Sequence, residues 1–345
     1  MTGKAYFLSG KDLDGFVKKM VGESSVYAPV SQDGITNLKK IKSFSEIDLK
    51  AEKTRVSAKQ VFLQQNQKIL ELRVKEKGID VDSADVEKGR NILFGVRPCD
   101  VHALELFDKV FLEDEPLDPF YKKMRENIIT FALGCREPGY YCFCTSVGGD
   151  PHGSKGVDVL LTEIKEGFVA EGVTKKGSDI LNENKKFLKK TNSLQVKEAQ
   201  KAVEESRRKI LDKIKLSDNF ESKINDKWDD DLWLYQSLKC IGCGACTYLC
   251  PTCWCFDVSD KWSLLKKEGE RNRCWDSCMY AGFTRMAGGH NPRETQRERL
   301  RQRINHKFNY IPEKYGLFGC TGCGRCTEHC PVDVNLGEIL EEVQK

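Results

Sequence analysis

The chain has 345 residues, too many for one core of ordinary size, and its 39% hydrophobic and 31% charged residues exclude wholesale disorder. A formal net charge of +4 is small for that length and argues against a general affinity for nucleic acid or an anionic membrane surface. Sixteen cysteines in so large a chain are not the disulfide framework of a small secreted domain, so metal binding is the first explanation to test.

Residues 1–10 carry one lysine and no apolar run of signal-peptide length, and no window approaches a membrane span. The expectation is a cytoplasmic protein without membrane insertion. Asn91–Val96 (NILFGV) and Ile128–Leu133 (IITFAL) are apolar runs of buried-strand length, with apolar residues at helical spacing over 101–112 between them. This strand, helix, strand order predicts a small parallel or mixed sheet. Residues 157–164 and 168–173 read as a hairpin, and the Lys- and Glu-rich stretch 182–222 as a solvent-covered helix linking two halves. The expected division is a mixed α/β domain over 1–227 and an α-helical ferredoxin-type domain over 228–345.

The second half holds twelve of the sixteen cysteines. Cys240, Cys243, Cys246 and Cys250 precede Pro251, and Cys320, Cys323, Cys326 and Cys330 precede Pro331, so C-x2-C-x2-C-x3-C-P occurs twice. This is the bacterial two-cluster ferredoxin spacing. Three thiolates two residues apart wrap three iron corners of one cubane, and the fourth cysteine reaches the other cluster. Crossed ligation assigns Cys240, Cys243, Cys246 and Cys330 to one [4Fe–4S] cluster and Cys320, Cys323, Cys326 and Cys250 to a second. Zinc also uses C-x2-C pairs, but it has no need of the x2, x2, x3-Pro run occurring twice. Residues 251–319 form a long insert between the motifs; stretches 261–267 and 294–307 lack Gly and Pro and are expected to be helical.

Cys99 opens the helix that follows one predicted strand, Cys135 follows the next strand, and Cys142 and Cys144 lie in the ensuing loop. Parallel neighbours would bring all four to one sheet edge. A third [4Fe–4S] cluster on Cys99, Cys135, Cys142 and Cys144 is the preferred reading, with zinc or buried structural thiols as alternatives. Cys253, Cys255, Cys274 and Cys278 leave a further cluster and simple packing thiols both open. His102, His152, His290, His306 and His329 are too dispersed to suggest a catalytic pair. Arg293, Arg297, Arg299, Arg301, Arg303 and Lys307 form the most basic stretch, which either docks an acidic redox partner, raises cluster potentials, or is a solvated helix face. No helix-turn-helix pattern accompanies it, which excludes DNA binding as a first reading.

At Arg97-Pro98-Cys99-Asp100, Gly134-Cys135, Cys142-Phe143-Cys144, Cys250-Pro251-Thr252-Cys253, Trp275-Asp276-Ser277-Cys278 and His290-Asn291-Pro292-Arg293 the chain resembles the β subunit of cytoplasmic sulfhydrogenases and the corresponding iron–sulfur subunit of anaerobic sulfite reductase. The resemblance runs from about Val96 to the C-terminus, and Cys274 is not part of the family pattern. It implies a non-catalytic subunit that passes electrons between a flavin subunit handling NAD(P)H and a redox partner. The resemblance implies that this partner is a [NiFe] hydrogenase, a sulfite reductase or a heterodisulfide-reductase-like assembly, without identifying which. Independently, the chain has no G-x-G-x-x-G after a strand, no Walker loop and no flavin fingerprint, so nucleotide and flavin are expected on a neighbouring chain. The contrasting reading is a catalytic N-terminal domain whose cluster keeps one iron open to a small substrate; the number of cysteine ligands there distinguishes the two.

Overall fold

The computed structural model describes residues 5–85, 89–210 and 213–345. Residues 1–4, part of the N-terminal stretch expected to lack a signal sequence, and residues 211–212 of the expected linking helix lie outside the described residues. Among the described residues twelve strands run in chain order: β1 (Ala5–Ser9), β2 (Ser25–Gln32), β3 (Ile35–Lys40), β4 (Asn66–Lys75), β5 (Gly78–Ser83), β6 (Asn91–Val96), β7 (Ile128–Leu133), β8 (Val159–Ile164), β9 (Gly167–Gly172), β10 (Lys189–Lys190), β11 (Phe256–Ser263) and β12 (Glu268–Trp275).

Eight of them form a mixed sheet in the order β10-β1-β9-β8-β7-β6-β2-β3. Its centre is parallel, with β6 between β2 and β7 and β7 beside β8. The expected parallel pair is therefore present, inside a sheet larger than anticipated. Strand β6 is buried throughout because both faces are covered. Ile92 and Phe94 point into one core with Phe16 and Phe131, while Leu93 and Val96 point into another with Val101 and Phe107. Each such side chain stabilises the fold by roughly 1.5–3 kcal/mol on burial. The helix Pro98–Asp108 starts with Pro at its first position, where the missing N–H costs nothing. The expected hairpin is β8 with β9, paired antiparallel from Val159↔Gly172 to Ile164↔Gly167.

The linking stretch is several elements rather than one helix: Lys175–Glu183, β10, Ser193–Ile210 and Phe220–Asp226. Its longest helix is largely solvated, as expected, and seats Ala199 against Phe7, Ile164 and Val169.

One expectation fails at the insert. Residues 261–267 are not helical; they lie in and around the turn of the β11–β12 hairpin. β12 pairs with β4, so a four-stranded antiparallel sheet of order β11-β12-β4-β5 is built from segments nearly two hundred residues apart. Phe256, Val258 and Trp262 alternate along β11, a period of two that outweighs the mere lack of Gly and Pro. The stretch 294–307 does contain the helix Gln296–Asn305, started by a capping box of Thr295 and Glu298. The remaining helices after residue 227 are short, apart from Leu336–Gln344, and the C-terminal region is accordingly a mixture of helices, loops and one hairpin. Among the described residues no helix is long and apolar enough to cross a membrane.

Candidate metal centre

Both ferredoxin motifs fold as loops ending in one helical turn. Gly242, Gly244, Gly322 and Gly324 all take positive φ, between 63° and 75°. At Gly322 the requirement is double: the φ is left-handed, and an added Cβ would come within 2.5 Å of the backbone of Phe143 and Cys144.

One cavity is lined by Cys240, Cys243, Cys246 and Cys330, the crossed set expected for the first cluster, together with Cys326 of the second set, with Leu300 and Ile339 among its apolar walls. Backbone and side-chain N–H groups point at its sulfurs: Gln296 Nε2 donates to Cys240 Sγ at 3.0 Å and Val334 N to Cys330 Sγ at 3.2 Å. In the second set, Cys320 lies within electrostatic reach of Cys250, Cys323 and Cys326. Gly322 N donates to Cys320 Sγ at 3.3 Å, and Lys307 Nζ to Cys250 Sγ at 3.4 Å. N–H donors aimed at thiolate sulfurs stabilise their negative charge and that of any cluster they hold. Burial pushes the Cys246 thiol up to about 11 and Cys326 up to about 12. A hydrogen bond from Cys253 instead pulls Cys250 well below the usual thiol range. Buried thiols pushed up in this way need the positive charge of a metal to ionise.

The basic stretch is spent mostly inside the chain. Arg297 bonds the carbonyls of Asp229 and Asp230, Arg301 bonds that of Trp228 while its guanidinium stacks on the Trp228 ring, and Arg299 bonds those of Arg293 and Glu294. Arg303 and Lys307 are buried among the thiols. Burial alone would lower their pKa values, but the surrounding cysteines, led by Cys246 for Arg303 and Cys250 for Lys307, more than reverse it. Two cations held there favour the anionic state of thiolates and clusters.

The N-terminal cysteines are placed by topology. Parallel strands β6 and β7 deliver Arg97-Pro98-Cys99 and Gly134-Cys135 to one sheet edge. Arg97 ties the two ends together, its Nη1 donating to Gly134 O at 3.1 Å and its Nε to Glu52 O at 2.8 Å. Cys144 lies within electrostatic reach of Cys135 and Cys142, and Cys99 within reach of Cys135. Burial pushes all four thiols up, Cys135 to about 11.

This set sits directly against the second motif. Phe143 N donates to Gly322 O at 2.8 Å, and Cys99 and Cys142 both feel the charge of Cys323. Arg325, inside that motif and fully buried, pairs with Asp100 at 2.9 Å and donates to Thr54 O. Asp100 is legible in the sequence only as the last residue of Arg97-Pro98-Cys99-Asp100, and Arg325, next to Cys326, does not stand out; nothing local pairs the two.

Of the insert cysteines, Cys253, Cys255 and Cys278 line one cavity, whereas Cys274 sits on β12 with its thiol donating to Asn66 Oδ1 at 3.5 Å. Among the described residues no three His, Cys, Asp or Glu side chains converge as a single bound ion requires. A cubane makes a different demand, since each thiolate attaches to a different iron and the four stand apart around it.

Residues 239–334 match the 4Fe-4S dicluster domain family. Over 330 residues, 96% of this chain and 95% of the relative, the chain is 32% identical to the sulfhydrogenase 2 subunit beta of Pyrococcus furiosus. The likeness thus extends well upstream of residue 96, where the residues noted above begin.

Proposed function

The chain belongs to the family of the sulfhydrogenase β subunit, and from that premise we propose that it is an iron–sulfur electron-transfer subunit of an oxidoreductase complex. Cys240, Cys243, Cys246 and Cys330 hold one [4Fe–4S] cluster; Cys320, Cys323, Cys326 and Cys250 hold a second; Cys99, Cys135, Cys142 and Cys144 hold a third. The observation that carries this reading is the crossed cavity, in which Cys330 of the far motif joins Cys240, Cys243 and Cys246 of the near one, with Cys326 of the adjoining second set also at its wall. Bound clusters supply one-electron redox chemistry; the chain's own residues hold them, exclude water and set their potentials.

The third set offers four thiols, which favours a saturated relay over an open catalytic iron. It also adjoins the second set through Cys323, giving a continuous route from the sheet edge to the dicluster domain. The physiological neighbours on this reading are a flavin subunit that oxidises or reduces NAD(P)H and a catalytic partner, a [NiFe] hydrogenase, sulfite reductase or heterodisulfide-reductase-like subunit. Sixteen free thiols suit a reducing compartment, the cytoplasm. Anaerobic purification of the native complex and of the isolated chain tests the assignment. Dithionite should reduce the clusters in both, and NAD(P)H only in the complex. Direct reduction of the isolated chain by NAD(P)H, or cluster signals perturbed by a small substrate, would overturn it.

A further inference from the structure

The cavity beneath the β11–β12 hairpin is separate from the sites assigned above. It measures about 370 Å³ and is lined by Cys253, Cys255, Cys278, Arg303, His306 and Lys307. The hairpin creates it: with Phe256 opposite Trp275, and Asp276 N donating to Cys255 O at 2.9 Å, the chain segments on either side of the two strands are held together. Cys253 and Cys255 come from one segment and Cys278 from the other. Cys274 takes no part, being turned to Asn66.

His306 opens a π-turn that continues the helix Gln296–Asn305, and its ring packs edge-on against Trp254 at 5.4 Å. Such turns shift side-chain register and recur at functional sites. Here the helix presents Arg303, His306 and Lys307, spaced three and four residues apart, to the same cavity.

The wall is strongly cationic. Arg303 and Lys307 are 5% and 3% exposed, and among the described residues neither pairs with a carboxylate. Arg303 Nη1 instead donates to Cys253 Sγ at 3.3 Å. Two buried cations require anionic company, and a volume of this size with three thiols and an imidazole around it suits a cluster better than one ion, for which the groups do not converge.

We propose that Cys253, Cys255, Cys278 and His306 hold a fourth [4Fe–4S] cluster, one that adjoins both clusters of the dicluster domain and serves as their point of electron exchange with a partner. The adjacency is direct, since Cys278 lies within electrostatic reach of Cys246 of the first set and Cys253 is hydrogen-bonded to Cys250 of the second. Phe256, 41% exposed, stands at the cavity wall where a partner can approach. Each transfer moves a single electron, reducing this cluster as a neighbouring one is oxidised, with no atom or proton exchanged. An imidazole in place of a thiolate removes one negative charge and raises the potential, as histidine does in Rieske centres. That makes the site an electron sink relative to its neighbours.

The test uses the full chain purified anaerobically. Iron and acid-labile sulfide should each come to about 16 per chain, four clusters of four. Cys255→Ser with Cys278→Ser should lose about four irons and keep the low-temperature signals of the other clusters; Cys274→Ser should lose none. His306→Cys should retain all iron and alter one signal, and His306→Ala should yield a [3Fe–4S] signal on mild oxidation that the parent protein lacks. If the double variant keeps its full iron, or Cys274→Ser loses as much, the proposal fails. Where the double variant disturbs neighbouring clusters as well, the His306 pair decides, and unchanged signals in both overturn the assignment. Loss of iron in a Cys99 variant reports on the third cluster alone, so the two readings fail independently.

Discussion

The dicluster region and the N-terminal cysteine set bring their thiols together by opposite routes. In the first, spacing carries nearly everything: cysteines two residues apart, left-handed glycines between them, and a proline that ends each run. In the second, spacing carries little. Cys99 and Cys135 are thirty-six positions apart in sequence and meet only because β6 and β7 are parallel neighbours. The first kind of site tolerates a long insert within it. The second depends on the rest of the fold, and here it leans on the dicluster region through Asp100 and Arg325 and through Phe143 and Gly322.

That dependence can be broken most severely at the buried ion pair. Asp100→Ala leaves the Arg325 guanidinium uncompensated at full burial and should cost about 3–5 kcal/mol, read as an earlier urea midpoint under anaerobic conditions. Asp100→Leu combined with Arg325→Met removes both charges and should recover most of that loss. Equal stability of Asp100→Ala and the parent chain would show that the two regions are not coupled there.

The two motifs should also differ in their response to glycine replacement. Gly322→Ala forces a Cβ into the Phe143–Cys144 backbone at a left-handed φ, costing roughly 1–3 kcal/mol from conformational strain alone, and should lower iron at both the second and the N-terminal sites. Gly242→Ala, whose added Cβ meets nothing nearer than 3.4 Å, carries only the conformational penalty and should spare the N-terminal site. Iron analysis of the two variants side by side checks this.

Acidity separates the regions more gently. Burial holds all four N-terminal thiols above their ordinary range, so the metal-free chain keeps their protons at neutral pH and loading must release them. A raised pKa therefore means loading that strengthens as pH rises. In the first dicluster site the thiol that burial holds up is Cys246, and loading there should depend less on pH. Reconstitution with ferrous iron and sulfide at about pH 7 and about pH 9 should show the larger gain at the N-terminal site. The smallest effect is expected on the basic helix: Arg301→Ala removes a guanidinium 4.0 Å from the Trp228 ring, costs about 1 kcal/mol, and leaves cluster potentials unchanged.

What is legible in the sequence follows the same division. The doubled motif, the helix beginning at Gln296 and the strands β6 and β7 are readable because local pattern determines them: cysteine spacing, a long stretch without Gly or Pro, unbroken apolar runs. Residues 261–267 read as helical from their lack of Gly and Pro alone; the period-two alternation of Phe256, Val258 and Trp262 marks the strand, but its pairing with β4, far upstream, leaves no local mark. For the same reason the union of Cys253, Cys255 and Cys278, the exclusion of Cys274, and the roles of His306, Lys307 and Arg325 emerge only with the tertiary contacts. The arginines after residue 293 look like a docking face in sequence; in the fold, backbone carbonyls take Arg297, Arg299 and Arg301, and the cysteines take Arg303.

On the proposed ligation, topology assembles a cluster site at the sheet edge as fully as spacing does in the dicluster region. Iron and acid-labile sulfide measured in the anaerobic chain before and after replacing Cys99 and Cys142 together by serine test it directly. A loss of about four irons with the dicluster signals retained at low temperature is expected; a double variant with its full iron content would leave the N-terminal thiols as packing groups and overturn the third cluster.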